Sequence, residues 1–108
     1  MAVLGFVPKH GTLILSRDAD WVCALRKKNP TVAPWPEGTE VWVEFPALDV
    51  RWDAVVTASS GLAAFRVEQD QTGPDVVPQG AEFRLMMRQP GTPSTEFLWV
   101  RGEVQRHD

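Results

Sequence analysis

Arg51-Trp52-Asp53-Ala54-Val55-Val56-Thr57-Ala58-Ser59-Ser60-Gly61-Leu62-Ala63-Ala64-Phe65-Arg66-Val67-Glu68 is the stretch that decides the fold. In its first half Trp52, Ala54 and Val56 alternate with Arg51, Asp53, Val55 and Thr57. In its second half Ala63, Phe65 and Val67 face one way, with Arg66 and Glu68 facing the other. A period of two is the signature of a strand with one face in a core, because successive side chains of extended backbone point to opposite sides. Ser59-Ser60-Gly61 between the halves is short, polar and glycine-bearing, which suits a tight hairpin turn.

The same grammar extends in both directions. Residues 12–16 form a short apolar strand, and residues 20–27 place Trp21, Cys23 and Leu25 on one face. Residues 39–45 set Val41, Val43 and Phe45 against Glu40, Trp42 and Glu44. Residues 81–88 set Phe83, Leu85 and Met87 against Glu82, Arg84 and Arg88. The last strand, residues 95–106, is the longest and is expected to bend at Gly102. Its inward face is ambiguous, because Phe97 and Trp99 compete with Leu98, Val100 and Val104. Nine prolines and eight glycines cut the chain into pieces too short for long helices. Residues 89–94 read as a longer hairpin loop. Residues 72–80 read as a crossover with one helical turn at residues 75–77.

These spacings predict an all-β fold: a single antiparallel β-sandwich of immunoglobulin-like, Greek-key type with about seven to eight strands. The sandwich is expected over residues 11–106, preceded by an N-terminal arm at residues 1–10. The first eight residues and the last three are the expected loose ends. Val3, Leu4, Phe6 and Val7 make the arm apolar, so it is expected to dock on its own sandwich or on a neighbour.

With 108 residues, 44% of them hydrophobic, the chain suits one domain with a core that needs no disulfide or metal. No apolar run approaches a membrane span, and the opening residues lack the basic and apolar regions of a signal peptide. A net charge of −3 argues against a nucleic-acid partner, and Arg26-Lys27-Lys28 reads as a solvated strand end. The single cysteine excludes an internal disulfide or a paired-cysteine metal site. Cys23 alternates with Trp21 and Leu25 and reads as a small core residue.

Chemistry is sparse. His10 and His107 are too few and too dispersed for zinc, iron or haem, and Asp18-Ala19-Asp20 reads as a polar turn rather than a calcium loop. The serines Ser16, Ser59, Ser60 and Ser94 lie in or beside turns with no nucleophile elbow. Glu40 and Glu44 flanking Trp42 are the nearest approach to a hydrolase pair, and read better as a solvated face. Phosphate-cradling and dinucleotide fingerprints are absent. The expectation is a protein that is not an enzyme and that has no cofactor and no metal.

What remains is surface. Five tryptophans and no tyrosine is an uneven allotment. Trp21 and Trp52 read as core. Trp35, in Ala33-Pro34-Trp35-Pro36, reads either as a plug for the open end of the sandwich or as an anchor for a partner. Trp and Arg dominate interface hot spots, so the candidate interface is Trp35, Trp42, Arg51, Arg84, Trp99 and Phe6.

The order of these pieces resembles a family of small β-sandwich proteins from tailed phages of actinobacteria, encoded among virion structural genes. The resemblance rests on the run from Gly11 to Trp21 and on Trp35-Pro36-Glu37-Gly38-Thr39, where a glycine precedes the third strand. It continues through Trp52, Phe65-Arg66-Val67 and the run from Pro78 to Leu85, and closes on Gly102-Glu103-Val104. The chain is also similar to N-terminal sandwich domains of phage baseplate proteins. The resemblance spans residues 11–106. It implies a virion component without catalytic motif, more of the tail, baseplate or fibre than of the head. The partners it implies are other virion proteins, with a homo-oligomer or a host-surface glycan as further possibilities. A carbohydrate-binding adhesion module using Trp35, Trp42 or Trp99, and a capsid decoration protein, are the competing readings.

Overall fold

Strands that alternate apolar and polar residues are stable only where their apolar faces meet, and here they meet between two sheets. The computed structural model describes residues 8–26 and 35–108. Among these residues run β1 (Lys9–Leu15), β2 (Trp21–Arg26), β3 (Glu40–Phe45), β4 (Val50–Asp53), β5 (Val55–Thr57), β6 (Leu62–Val67), β7 (Glu82–Gln89) and β8 (Thr95–Arg106). One sheet has the order β1-β8-β7-β3-β4 and the other β2-β6-β5. The order β8-β7-β3-β4 against β2-β6-β5 is that of an immunoglobulin-like sandwich, with the first strand laid beside the last. Leu13, Leu15, Val41, Val43, Phe45, Trp52, Ala63, Phe65, Val67, Phe83, Leu85 and Val104 fill the space between the sheets.

The strand expected at residues 51–57 is two strands in two sheets. β4 pairs with β3 and β5 pairs with β6, and the chain turns the corner at Ala54, whose N–H donates to the Val41 carbonyl at 2.9 Å. Strands of a sandwich commonly change sheet at such bends. The alternation survives the corner, since Trp52 is buried and Ala54 and Val56 both pack against the core. The hairpin after it is as expected: a 3-10 turn at Ala58–Ser60 leads into β6.

The last strand does not break at Gly102. It keeps unbroken register there with Phe83 of β7 and Gly11 of β1. The irregularity lies elsewhere: Leu85 pairs with Val100 and Met86 with Leu98, leaving Trp99 as the extra residue of a bulge. An extra residue shifts the alternation by one. Phe97 therefore packs on the core ahead of the bulge, Trp99 within it, and Val100 and Val104 after it. Of the five competing residues, Phe97, Trp99, Val100 and Val104 pack inward and Leu98 is turned away.

One pairing is parallel rather than antiparallel. β1 runs alongside β8 from Lys9↔Val100 to Leu15↔Arg106, with the rest of the chain as the crossover that parallel neighbours require. A side chain at Gly102 would collide with the Gly11 carbonyl oxygen. Glycine is thus needed here for close approach. Gly38, before β3, has a φ of 91°, in the left-handed region that glycine enters without strain.

The crossover between β6 and β7 carries the chain from the small sheet to the large one. It begins with a 3-10 turn at Gln69–Gln71. The helical turn expected at residues 75–77 is realised as a single turn, in which the N–H groups of Val76 and Val77 both donate to the Gly73 carbonyl. The fully buried Thr72 donates its hydroxyl to the Ala19 carbonyl at 2.8 Å. Asp20, in the expected polar turn, accepts from the Gln69 N–H at 2.8 Å and from Arg66 at 3.1 Å.

The final three residues are tied down rather than loose. Arg106, its side chain only 4% exposed, donates to the carbonyls of Thr72 at 2.9 Å and Val77 at 2.8 Å. Through the Nε–Nη2 edge it also donates to both carboxylate oxygens of Asp108 at 3.0 Å. The His107 N–H donates to the Leu15 carbonyl and the Arg17 N–H to Asp108. The Arg106 hydrogen bonds hold the Asp108 carboxyl below the usual carboxylate range. Residues 1–7, with Phe6 and most of the expected arm, lie outside the described residues. Lys9 and His10 already belong to β1.

Two outcomes follow for stability. Gly102→Ala is expected to lose about 2–3 kcal/mol in denaturant titration, because the added methyl must push β1 off β8; a loss no larger than an exposed-site Gly→Ala change would overturn the close-approach argument. Arg106→Met keeps the stem but leaves two carbonyls without a donor, and is expected to cost about 2–3 kcal/mol.

Candidate functional site

The outer face of the five-stranded sheet is assembled by register. Each residue there is one step out of phase with a core residue, so Val41, Val43 and Phe45 facing inward oblige Glu40, Trp42 and Glu44 to face outward. Trp42 lies opposite Asp53 of β4 and Met86 of β7, and Met86 lies opposite Leu98 of β8. One row along, Glu44 lies between Arg51 and Arg84, and Arg84 lies opposite Arg101. One row the other way, Arg88 stands between Glu40 at 3.8 Å and Glu96 at 3.7 Å. An apolar row is thus flanked on both sides by charged ones.

Three of the expected interface residues meet on this face: Trp42, Arg51 and Arg84. Their exposure differs from expectation. Trp42 is only 8% exposed, because the Arg51 guanidinium sits 4.1 Å above its ring and its neighbour Met86 stands beside it in register. Arg51 is fixed there by donating from Nε to Asp53 at 2.8 Å. A neighbouring molecule would meet Arg51 before it met the indole. Arg84 is exposed.

Trp35 and Trp99 come together at a different place. Trp35 is 8% exposed and belongs to the core. Its N–H donates to the Ala58 carbonyl at 3.2 Å, and its ring meets Trp99 edge-on at 6.1 Å. Of the two readings of Trp35, the structure realises the plug. With Met87 and Phe97 the two indoles line a small cavity of about 220 Å³.

A larger recess was not legible in the sequence. It has a volume of about 330 Å³ and is lined by Leu13, Trp21, Cys23, Leu25, Leu85 and Val100 among others. It lies between β1 and β2, which are edge strands of the two sheets. Which strands are edges is a property of topology, and no local pattern records it. Cys23 stands half-buried on its wall, and burial pushes the thiol pKa up, so the protonated form is favoured. The outer face of the small sheet is apolar too, with Val22 64% and Val55 74% exposed.

Glu40 and Glu44 are four residues apart on one strand, a separation of about 13 Å. Glycosidase carboxylates stand about 5–9.5 Å apart. Among the described residues no group of three or more His, Cys, Asp or Glu is placed to hold a metal ion.

Residues 7–107 match the family described as LtfC-like, beta-sandwich domain. The chain belongs to that family. No curated protein matches it.

The stacked pair on the outer face has a measurable signature. Arg51→Ala is expected to lower stability by about 0.5–1 kcal/mol, and Arg51→Lys by less, read from urea midpoints. An Arg51→Lys variant as stable as wild type would show that the guanidinium plane over Trp42 contributes nothing beyond its charge.

Proposed function

We propose that this chain is a non-enzymatic structural component of a tailed-phage particle, placed in the tail, baseplate or fibre region and acting through contacts with other virion proteins. The observation that carries this reading is the outer face of the five-stranded sheet, where ordered rows of apolar and charged side chains lie outside the core. Such a face offers a partner both area and register, and charge rows of this kind give specificity more than affinity. The likeness to virion sandwiches over residues 11–106 and the LtfC-like match over residues 7–107 fall on the same span. Both support a domain whose whole length is devoted to the sandwich.

A sugar-binding role would need open indole faces to stack on. Trp35 and Trp42 are each 8% exposed, which leaves Trp99 alone of the three and favours protein contacts over glycan contacts. A capsid decoration protein would share every feature of the fold and differ in location.

Gold-labelled antibodies against the chain, imaged on purified particles, separate these outcomes. Label at the tail or its tip is expected. Label over the head would replace the tail assignment with capsid decoration, and unlabelled particles would overturn the virion reading altogether.

A further inference from the structure

The register of β7 and β8 puts like charges side by side. Glu82 lies directly opposite Glu103, and Arg84 directly opposite Arg101. All four point to the outer face of the five-stranded sheet and all four are exposed. Like charges facing each other across an antiparallel pair are destabilising. Among the described residues none of the four makes an ion pair, in contrast to Arg51, Arg66, Arg88 and Arg106, which all do. Glu44 lies opposite Arg84 on its other side, and His10 lies opposite Arg101. The result is an acidic stripe and a basic stripe, two residues apart along the strands and running across them.

Two such stripes are complementary to themselves. Consider a two-fold axis lying in the plane of the sheet face and running across the strands, midway between the stripes. Rotation about it turns a second copy face to face with the first and exchanges the two stripes. β7 then lies over β7 and β8 over β8, in opposite directions. Arg84 meets Glu82 of the other copy, Arg101 meets Glu103 of the other copy, and each contact occurs twice. This is the isologous arrangement of a two-fold dimer, in which one patch serves both partners.

We propose that two copies of this chain associate face to face through the outer face of the five-stranded sheet, with the Arg84–Arg101 stripe of each on the Glu82–Glu103 stripe of the other. Like charges that are unfavourable within one copy become the contacts between two. The axis crosses the strands at the level of Gly11, Phe83 and Gly102, so the copies overlap along β8, part of β1 and the first residues of β7, an area on the order of 250 Å² per copy at about 4.8 Å strand spacing. That is below the area of a stable interface, so the dimer is a transient one held by charge and weakened by salt. The pairing follows from strand register, and it holds whether or not the chain belongs to a virion.

The test is sedimentation velocity on the full chain at low salt, over a concentration series, with circular dichroism to verify folding. Wild type is expected to pass from monomer to dimer as concentration rises. Arg84→Glu with Arg101→Glu makes both stripes acidic, and Glu82→Arg with Glu103→Arg makes both basic. Each double variant alone is expected to dimerise at least about tenfold more weakly. Mixed one to one, the two are expected to form a heterodimer at least as tight as wild type. A wild type that stays monomeric throughout would overturn the proposal. So would a wild-type dimer that either double variant leaves intact, or a mixture of variants that stays monomeric.

Discussion

The approach of two backbones at Gly11 and Gly102 is the constraint on which the sandwich rests. The Gly11 carbonyl occupies the space a side chain at residue 102 would need, so β1 can lie in register along β8. That contact delivers Leu13 and Leu15 to the core. It also makes the large sheet five strands wide, and brings the turn after β1 to where Arg17 and Asp108 meet. Arg106 extends the same arrangement inward. Its buried guanidinium collects the crossover carbonyls of Thr72 and Val77, so the last turn of the path between sheets is fastened to the end of the last strand. Buried carbonyls need donors, and here a single side chain supplies two of them.

Local alternation carried most of the architecture. Phe83, Leu85 and Met87, or Ala63, Phe65 and Val67, declare their faces unaided, and seven runs of this kind account for the sandwich of two sheets. What alternation could not show was any event that leaves its phase unchanged or hides a shift of phase. The corner at Ala54 keeps Trp52, Ala54 and Val56 on the core side, so two strands read as one. The bulge at Trp99 does the reverse, drawing residues from two apparently rival sets into one continuous inner face. The parallel course of β1 depends on contact between the two ends of the chain, and its only trace in the sequence is a pair of glycines.

The candidate surface was legible by face and not by exposure. Trp42 is outward by parity, as its strand requires, yet Arg51 lies across its ring. The next strand in sequence, one turn away, decides that, since Asp53 and Arg51 come into place only when β4 folds back on β3. Trp35 was open to two readings because its rigid proline-flanked loop fixes local shape without fixing what lies opposite. The groove between β1 and β2 and the charge stripes on β7 and β8 are both consequences of which strands become neighbours. They emerge only with the assembled sheet.

The parallel course of β1 and β8 also sets how the domain bears load. Lys9 lies beside Val100 and Leu15 beside Arg106, so the chain enters at one end of this strand pair and leaves at the other, about 20 Å away. Tension applied at these two points pulls β1 and β8 lengthwise past each other. Their hydrogen bonds are then strained together in shear, whereas a hairpin pulled at its open end would unzip one bond at a time. Parallel strands in register therefore resist a lengthwise pull more than a hairpin of the same length would.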